Sequence, residues 1–169
     1  MPFIDHGRIA WMRAGLACLF MLLLAAASPA AEPNDAAALR KDRCPVCGMS
    51  VSMFADWNAT IVFADSTVAV VDGPKDMFKY YLNRNTYNPS KAENKVSAIT
   101  VKDYYSLASI DARKAYFVIW SDVYGPMGHE PIPFEKEGDA KKFREEHKGR
   151  KIVRFEDITP KLLLSLDNP

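Results

Sequence analysis

Residues 44–49 read Cys-Pro-Val-Cys-Gly-Met and place two thiols and a thioether close together in the chain. Thiolate and thioether sulfurs are soft donors, which favour a soft ion such as Cu(I) over the hard cations that prefer oxygen. Cys47 and Met49 are separated only by Gly48, whose backbone freedom lets the two sulfurs converge on one ion. Cys44 can add a second thiolate or form a disulfide with Cys47. The segment therefore predicts a site for a soft metal.

A second segment with soft donors lies far along the chain, at residues 125–130, Gly-Pro-Met-Gly-His-Glu. Met127 and His129 repeat the donor-x-donor spacing of the first segment, again with a glycine between them. Met127 stands in a turn sequence rather than in an apolar pattern, so it does not match the usual role of methionine as core filler. Imidazole nitrogen also suits copper. The predicted metal ligands are Cys44, Cys47, Met49, Met127 and His129.

The Cys-x-x-Cys spacing has two other interpretations. Cysteines of an exported protein are commonly paired, although a bridge between Cys44 and Cys47 closes a very short loop and restrains the unfolded chain little. The chain would then be a metal-free binding module with one disulfide. Thiol–disulfide oxidoreductases use the same spacing, usually at the start of a helix in a βαβ unit. Gly48 excludes c-type haem, which needs histidine after the second cysteine, and no second ligand pair supports structural zinc.

We call residues 44–49 the first sulfur segment and residues 125–130 the second sulfur segment. The residues before the first sulfur segment have the pattern of an export signal. Arg8 and Arg13 supply positive charge ahead of the apolar run Ala14–Ala27, and small residues follow. The apolar run is shorter than the roughly 20 residues of a membrane span. Cys18 lies within this run and is expected to leave with it. We predict a signal peptide in residues 1–30, a flexible tether in 31–41 and a folded domain in 42–169.

The overall charge is close to neutral. The chain of 169 residues contains 22 Lys and Arg and 21 Asp and Glu, which gives no electrostatic basis for binding nucleic acid or an anionic membrane. The part after the signal is long enough for one domain with its own core. We expect this domain in the periplasm, with membrane association only through a retained signal segment.

The scaffold that positions the two sulfur segments is predicted to consist of two stretches of chain with the same order of strands and helices. Each has two strands rich in β-branched and aromatic residues, then an amphipathic helix, then a strand. The predicted elements are strands at 57–64, 68–71 and 96–101 around a helix that begins at Pro74, then strands at 115–120, 131–134 and 152–155 around a helix at 138–149, and a final helix at 159–166. The strand at 115–120 is nearly continuously apolar, which predicts a central position in its sheet. The fold class is α+β: tandem ββαβ units forming one compact domain with a short C-terminal helix.

Residues 44–49 together with 121–134 resemble the NosL family, exported copper-binding accessory proteins linked to nitrous oxide reductase assembly. The second motif, Ser-Asp-Val-Tyr-Gly-Pro-Met-Gly-His-Glu-Pro-Ile-Pro-Phe, is long and specific. The resemblance covers about residues 42–157. The fold of that family is a tandem pair of ββαβ units, in agreement with the order of elements above.

The resemblance implies a periplasmic Cu(I) chaperone that is not an enzyme. Its acceptor would be a cuproenzyme, nitrous oxide reductase or its maturation machinery. The family's Cys-Gly-Met segment corresponds to residues 47–49 and its second-motif methionine to Met127. Cys47 is then the principal thiolate, Met49 and Met127 are thioether donors, and Cys44 and His129 complete or gate the site. The alternative function is a thiol–disulfide oxidoreductase that acts on the copper-site cysteines of a partner.

Overall fold

The computed structural model describes residues 42–167, and the predicted signal peptide and tether lie outside them. The strands are β1 Ala59–Phe63, β2 Val68–Val71, β3 Val96–Lys102, β4 Ser109–Asp111, β5 Tyr116–Ile119, β6 Tyr124–Gly125, β7 Gly128–His129, β8 Ile132–Phe134 and β9 Lys151–Val153. The α-helices are α1 Pro74–Leu82, α2 Arg84–Tyr87, α3 Glu137–Glu146 and α4 Pro160–Asp167, and 3₁₀ helices cover Val51–Phe54, Pro89–Lys91 and Phe155–Asp157. Among the described helices, none combines the length and the apolar character needed to cross a membrane.

The two sheets repeat one arrangement, which confirms the tandem ββαβ prediction. The first sheet has the order β2-β1-β3-β4 and the second has the order β8-β5-β9, with all neighbours antiparallel. In each unit the first strand is central, with the second strand on one side and the strand after the helix on the other. The chain therefore builds the same motif twice, and β4 adds an edge strand to the first copy.

Strand β5 is central in its sheet, as its apolar sequence predicts. Its residues Phe117, Val118 and Ile119 are all buried. Phe117 and Ile119 belong to a large core cluster, whereas Val118 belongs to a smaller cluster beneath α3 with Phe134 and Phe143. Both faces of β5 are thus covered, which accounts for its lack of polar alternation.

One core joins the two ββαβ units. Phe78 of α1 is fully buried, and its ring lies 5.2 Å from that of Phe117 in β5 and 5.0 Å from that of Phe155, centroid to centroid. Leu163 and Leu166 of α4 complete the same cluster. The helix of the first unit therefore packs against a strand of the second, and α1 contributes to the core that the two units share.

The loop predicted between β5 and β8 contains a small hairpin. Strand β6 pairs with β7, joining Tyr124 to His129 and Gly125 to Gly128, so that Pro126 and Met127 form a two-residue turn. Gly128 has a φ of +80°, a conformation that favours glycine. Strands of two residues are too short to leave a periodic pattern in the sequence.

Candidate metal centre

The first sulfur segment forms a closed turn. The N–H of Gly48 donates to the carbonyl of Cys44 at 2.9 Å, and the N–H of Cys44 donates to the carbonyl of Met49 at 2.8 Å. Gly48 has a φ of +78°, which allows the chain to reverse. The turn thus brings together the Sγ atoms of Cys44 and Cys47, which lie within 4.8 Å of each other.

Two carboxylates of the first ββαβ unit meet the two thiols. The Sγ of Cys44 donates to Oδ2 of Asp76 at 3.3 Å, and the Sγ of Cys47 donates to Oδ2 of Asp72 at 3.0 Å. One ligand atom from each of these four side chains lies within 4.8 Å of all the others. Cys44 and both aspartates are buried, and Cys47 is half-buried. Four donors at this separation can surround a single metal ion.

Asp72 and Asp76 are functional candidates that the sequence analysis missed, because it gave neither residue a role. Asp72 follows strand β2 directly, and Asp76 lies in the first turn of α1. The side chains of both aspartates reach the thiols from the region where the helix begins. The available signal was this pair of acidic residues immediately after an apolar strand.

Three groups of the centre have a raised pKa. Burial raises the pKa of the Cys44 thiol above its ordinary value. Burial also raises the pKa of Cys47 well above its usual range, and the hydrogen bond to Asp72 adds to the increase. For Asp76, burial raises the pKa and the neighbouring charge of Asp72 acts in the same direction. These groups would exchange protons for a cation.

Two oxygens of the centre have no hydrogen-bond partner among the described residues. They are Oδ1 of Asp72 and Oδ1 of Asp76, and both are buried. Buried polar atoms are normally satisfied by hydrogen bonds or by a metal ion. Together with the paired thiols, these oxygens fit a group that binds a cation.

The backbone of the second sulfur segment is connected by hydrogen bonds to the first turn of α1, where Asp76 also lies. The Nζ of Lys75 donates to the carbonyl of Met127 at 2.6 Å. The carboxylate of Glu130 accepts from the N–H of Met127 at 3.1 Å and from the N–H of Lys75 at 2.6 Å. Burial raises the pKa of Glu130 to about 8, and these two N–H donors act in the opposite direction. Both sulfur segments are therefore attached to the first turn of α1.

The five ligands predicted from the sequence occupy three different settings. Cys44 and Cys47 are together in the thiol–carboxylate cluster. Met49 is half-buried in the same turn, and Met127 is half-buried in the hairpin turn attached to Lys75. His129 is outside the cluster: its ring packs on Tyr124 with centroids 4.7 Å apart, and its buried Nδ1 has no hydrogen-bond partner among the described residues.

Replacing Gly125 with alanine is expected to destabilise the hairpin that carries Met127. A Cβ atom at this position would lie 2.6 Å from Cγ of Glu130 and 2.9 Å from the ring of Trp57. Overpacking of this kind costs about 1–3 kcal/mol. Urea unfolding of the two proteins measures the difference in the free energy of unfolding.

Gly138 provides the matched control for that change. A Cβ atom there would meet nothing within 4 Å, and the residue lies in helix α3. Gly138→Ala should therefore leave stability unchanged or raise it by up to about 1 kcal/mol, because alanine favours a helix over glycine. Equal unfolding midpoints for the two variants would contradict the close packing at Gly125.

The structure defines an α+β domain with a buried thiol–carboxylate centre at the start of a central helix. The family model of NosL matches residues 35–163, and this chain belongs to the NosL family, as the two motifs indicate. The crystal structure of the copper chaperone NosL from Shewanella denitrificans is similar, with a TM-score of 0.59 and 27% sequence identity over 70% of this chain and 90% of that chain.

A second solved structure is also similar. The solution NMR structure of the apo-NosL protein from Achromobacter cycloclastes shares 24% identity over 62% of this chain and 87% of that chain, with a TM-score of 0.43. A comparison with curated proteins gives no significant match.

Proposed function

We propose that this protein is an exported Cu(I) chaperone that binds copper at the thiol–carboxylate centre and passes it to a copper-accepting protein. The observation that carries the proposal is the convergence of Cys44, Cys47, Asp72 and Asp76 within 4.8 Å, in a chain of the NosL family. The similarity to the copper chaperone of Shewanella denitrificans supports copper as the metal. A carrier of this kind performs no chemical conversion and is not an enzyme.

Sulfur atoms are the proposed ligands, because Cu(I) is a soft ion. Cys47 is the principal thiolate, and Met49 and Met127 are thioether donors. Cys44 and His129 complete or gate the site. Carboxylates are hard donors, so the proposed role of Asp72 and Asp76 is to orient the two thiols.

Transfer to the acceptor is proposed to proceed by ligand exchange. Cys47 is half-buried whereas Cys44 is almost fully buried, so Cys47 is the thiolate that a partner protein can approach. An incoming soft donor of the acceptor would enter the coordination shell of Cu(I) as one of the chaperone's own ligands leaves. The family points to nitrous oxide reductase or its maturation machinery as the acceptor.

The alternative, a thiol–disulfide oxidoreductase, has less support. Catalytic cysteines of that class have a lowered pKa, because the thiolate is the attacking form. Here burial raises the pKa of both thiols. The motif also precedes strand β1 and forms a turn, whereas the redox motif usually begins a helix.

Anaerobic titration of the reduced protein with Cu(I) against a competing chelator tests the proposed function. We expect about one tightly bound equivalent, since the two thiols belong to a single cluster of donors. The control is the same titration after the thiols have been alkylated, which should abolish tight binding. Weak binding that alkylation does not change would refute the chaperone function.

The affinity for Cu(I) is expected to fall as the pH falls. Both thiols have a raised pKa, so near neutral pH they are protonated in the metal-free protein, and copper binding must displace the protons. Below the thiol pKa, each displaced proton lowers the logarithm of the association constant by about one per pH unit. Competition titrations from about pH 6 to about pH 8, corrected for the chelator, measure the slope. An affinity that is independent of pH over this range would contradict thiolate ligation.

A further inference from the structure

Helix α1 lacks a cap of its own. Its N-cap residue is Gly73, which has no side chain, and Pro74 follows at the first helical position. The free N–H of Lys75 therefore needs an acceptor from elsewhere. Glu130, which is 55 residues further along the chain, supplies Oε2 at 2.6 Å.

The same carboxylate binds the hairpin that carries Met127. Oε1 of Glu130 accepts from the N–H of Met127 at 3.1 Å, while the Nζ of Lys75 donates to the carbonyl of Met127 at 2.6 Å. Both backbone polar groups of Met127 are therefore bound by the pair Glu130 and Lys75. This pair is almost completely buried, with 1% exposure for each residue. Buried hydrogen bonds of this kind hold the backbone in one arrangement.

Two glycines leave room for the Glu130 side chain between the start of α1 and the hairpin. A Cβ atom on Gly73 would lie 3.3 Å from Oε1 of Glu130, and one on Gly125 would lie 2.6 Å from its Cγ. One of these glycines precedes α1, and the other belongs to the hairpin. The Glu130 side chain can therefore approach both backbones closely because the neighbouring residues, Gly73 and Gly125, have no side chain.

We propose that Glu130 is a positioning residue that couples the two halves of the metal centre. It fixes the backbone of Met127 relative to the helix turn from which Asp72 and Asp76 contact the thiols. The contribution of the Met127 thioether to copper affinity then depends on Glu130, although Glu130 itself is not a ligand. This inference rests on the proposed function.

A double-mutant cycle tests the coupling. Met127→Leu removes the sulfur while keeping an apolar side chain, and Glu130→Gln replaces one of the two accepting oxygens with an amide donor. In the otherwise unchanged protein, Met127→Leu is expected to lower the Cu(I) affinity at least about tenfold, whereas in the Glu130→Gln background it should change the affinity less than about threefold. The same factor in both backgrounds would overturn the proposal.

Controls separate positioning from general stability. Glu156 is exposed, so Met127→Leu should have its full effect in a Glu156→Gln background. If Glu130→Gln does not fold, Glu130→Asp replaces it in the cycle, since the shorter side chain withdraws the carboxylate from the backbone N–H groups of Lys75 and Met127. The effect of Met127→Leu should shrink in that background too, and a full effect there would overturn the proposal.

A measurement without metal distinguishes failure of the proposal from failure of the proposed function. Amide hydrogen exchange at Met127 in the metal-free protein should be at least about tenfold faster in Glu130→Gln than in the unchanged protein, beyond any change at residues of β5. Unchanged protection at Met127 would overturn the positioning role whether or not copper binds. Faster exchange in a protein that does not bind Cu(I) would refute the proposed function alone.

Discussion

Replacing Cys47 with serine is expected to abolish tight Cu(I) binding and to leave the fold intact. The serine hydroxyl can still donate to Asp72, which accepts from Cys47 at 3.0 Å, so the metal-free centre keeps its hydrogen bond. Outer-shell partners of a metal ligand are worth about 10- to 100-fold in affinity, and loss of the thiolate itself should cost more than about 100-fold. Competition titration measures the affinity, and circular dichroism checks the fold.

Met53 offers a matched control for the loss of a sulfur donor. It lies a few residues beyond the first sulfur segment, and its side chain is 74% exposed. Met53→Ala should bind Cu(I) with the same affinity as the unchanged protein. If Cys47→Ser also retains that affinity, Cys47 is not a copper ligand.

Replacing Phe78 with alanine is expected to cause the largest loss of stability. Phe78 is fully buried, and its ring contacts Phe117 of the second ββαβ unit and Phe155 next to strand β9. Truncating a buried phenylalanine costs about 3–5 kcal/mol, because apolar area is lost and a cavity remains. Urea unfolding followed by circular dichroism measures the change in the free energy of unfolding.

Val68 provides the control for that truncation, since it lies on edge strand β2 with 55% exposure. Val68→Ala should change the free energy of unfolding by less than about 1 kcal/mol. A similarly small effect at Phe78 would contradict a core shared by the two units. Because α1 carries Lys75 and Asp76, the Phe78 variant should also weaken copper binding at temperatures where its unfolding begins.

Most of the regular structure can be predicted from local patterns. Strand β2 coincides with its predicted range Val68–Val71, and the strand predicted at 115–120 contains the central strand β5. These segments are predictable because a strand that is buried on one or both faces has a characteristic pattern of apolar residues. Strands β4, β6 and β7 were missed, because β6 and β7 are only two residues long and β4 has a single buried residue, Ile110.

The candidate site was only partly predictable, because sequence motifs reveal donors but not what surrounds them. Cys44 and Cys47 follow from their type and spacing, and they do meet in one cluster. Asp72 and Asp76 reach them across separations of 25 and 32 residues, contacts that depend on where the turn at residues 44–49 folds back. Glu130 is concealed in the same way, because its partner Lys75 is 55 residues away.

His129 shows the limit of spacing arguments most clearly. Its donor-x-donor relation to Met127 suggested that both side chains reach one ion, but alternate residues of the hairpin have different environments. Met127 lies in the turn, while His129 pairs with Tyr124 and packs against its ring. Its buried Nδ1 has no hydrogen-bond partner in the part of the chain that the structure describes, and His129 stays a proposed ligand.

X-ray absorption spectroscopy at the copper edge of the Cu(I)-loaded protein tests most directly whether both sulfur segments bind one copper ion. The expected spectrum is that of Cu(I) with a first shell dominated by sulfur, in which Met127→Leu removes one sulfur scatterer. Met53→Ala should leave the spectrum unchanged. A first shell of oxygen and nitrogen atoms only, or one that Met127→Leu does not alter, would contradict a copper site shared by the two segments.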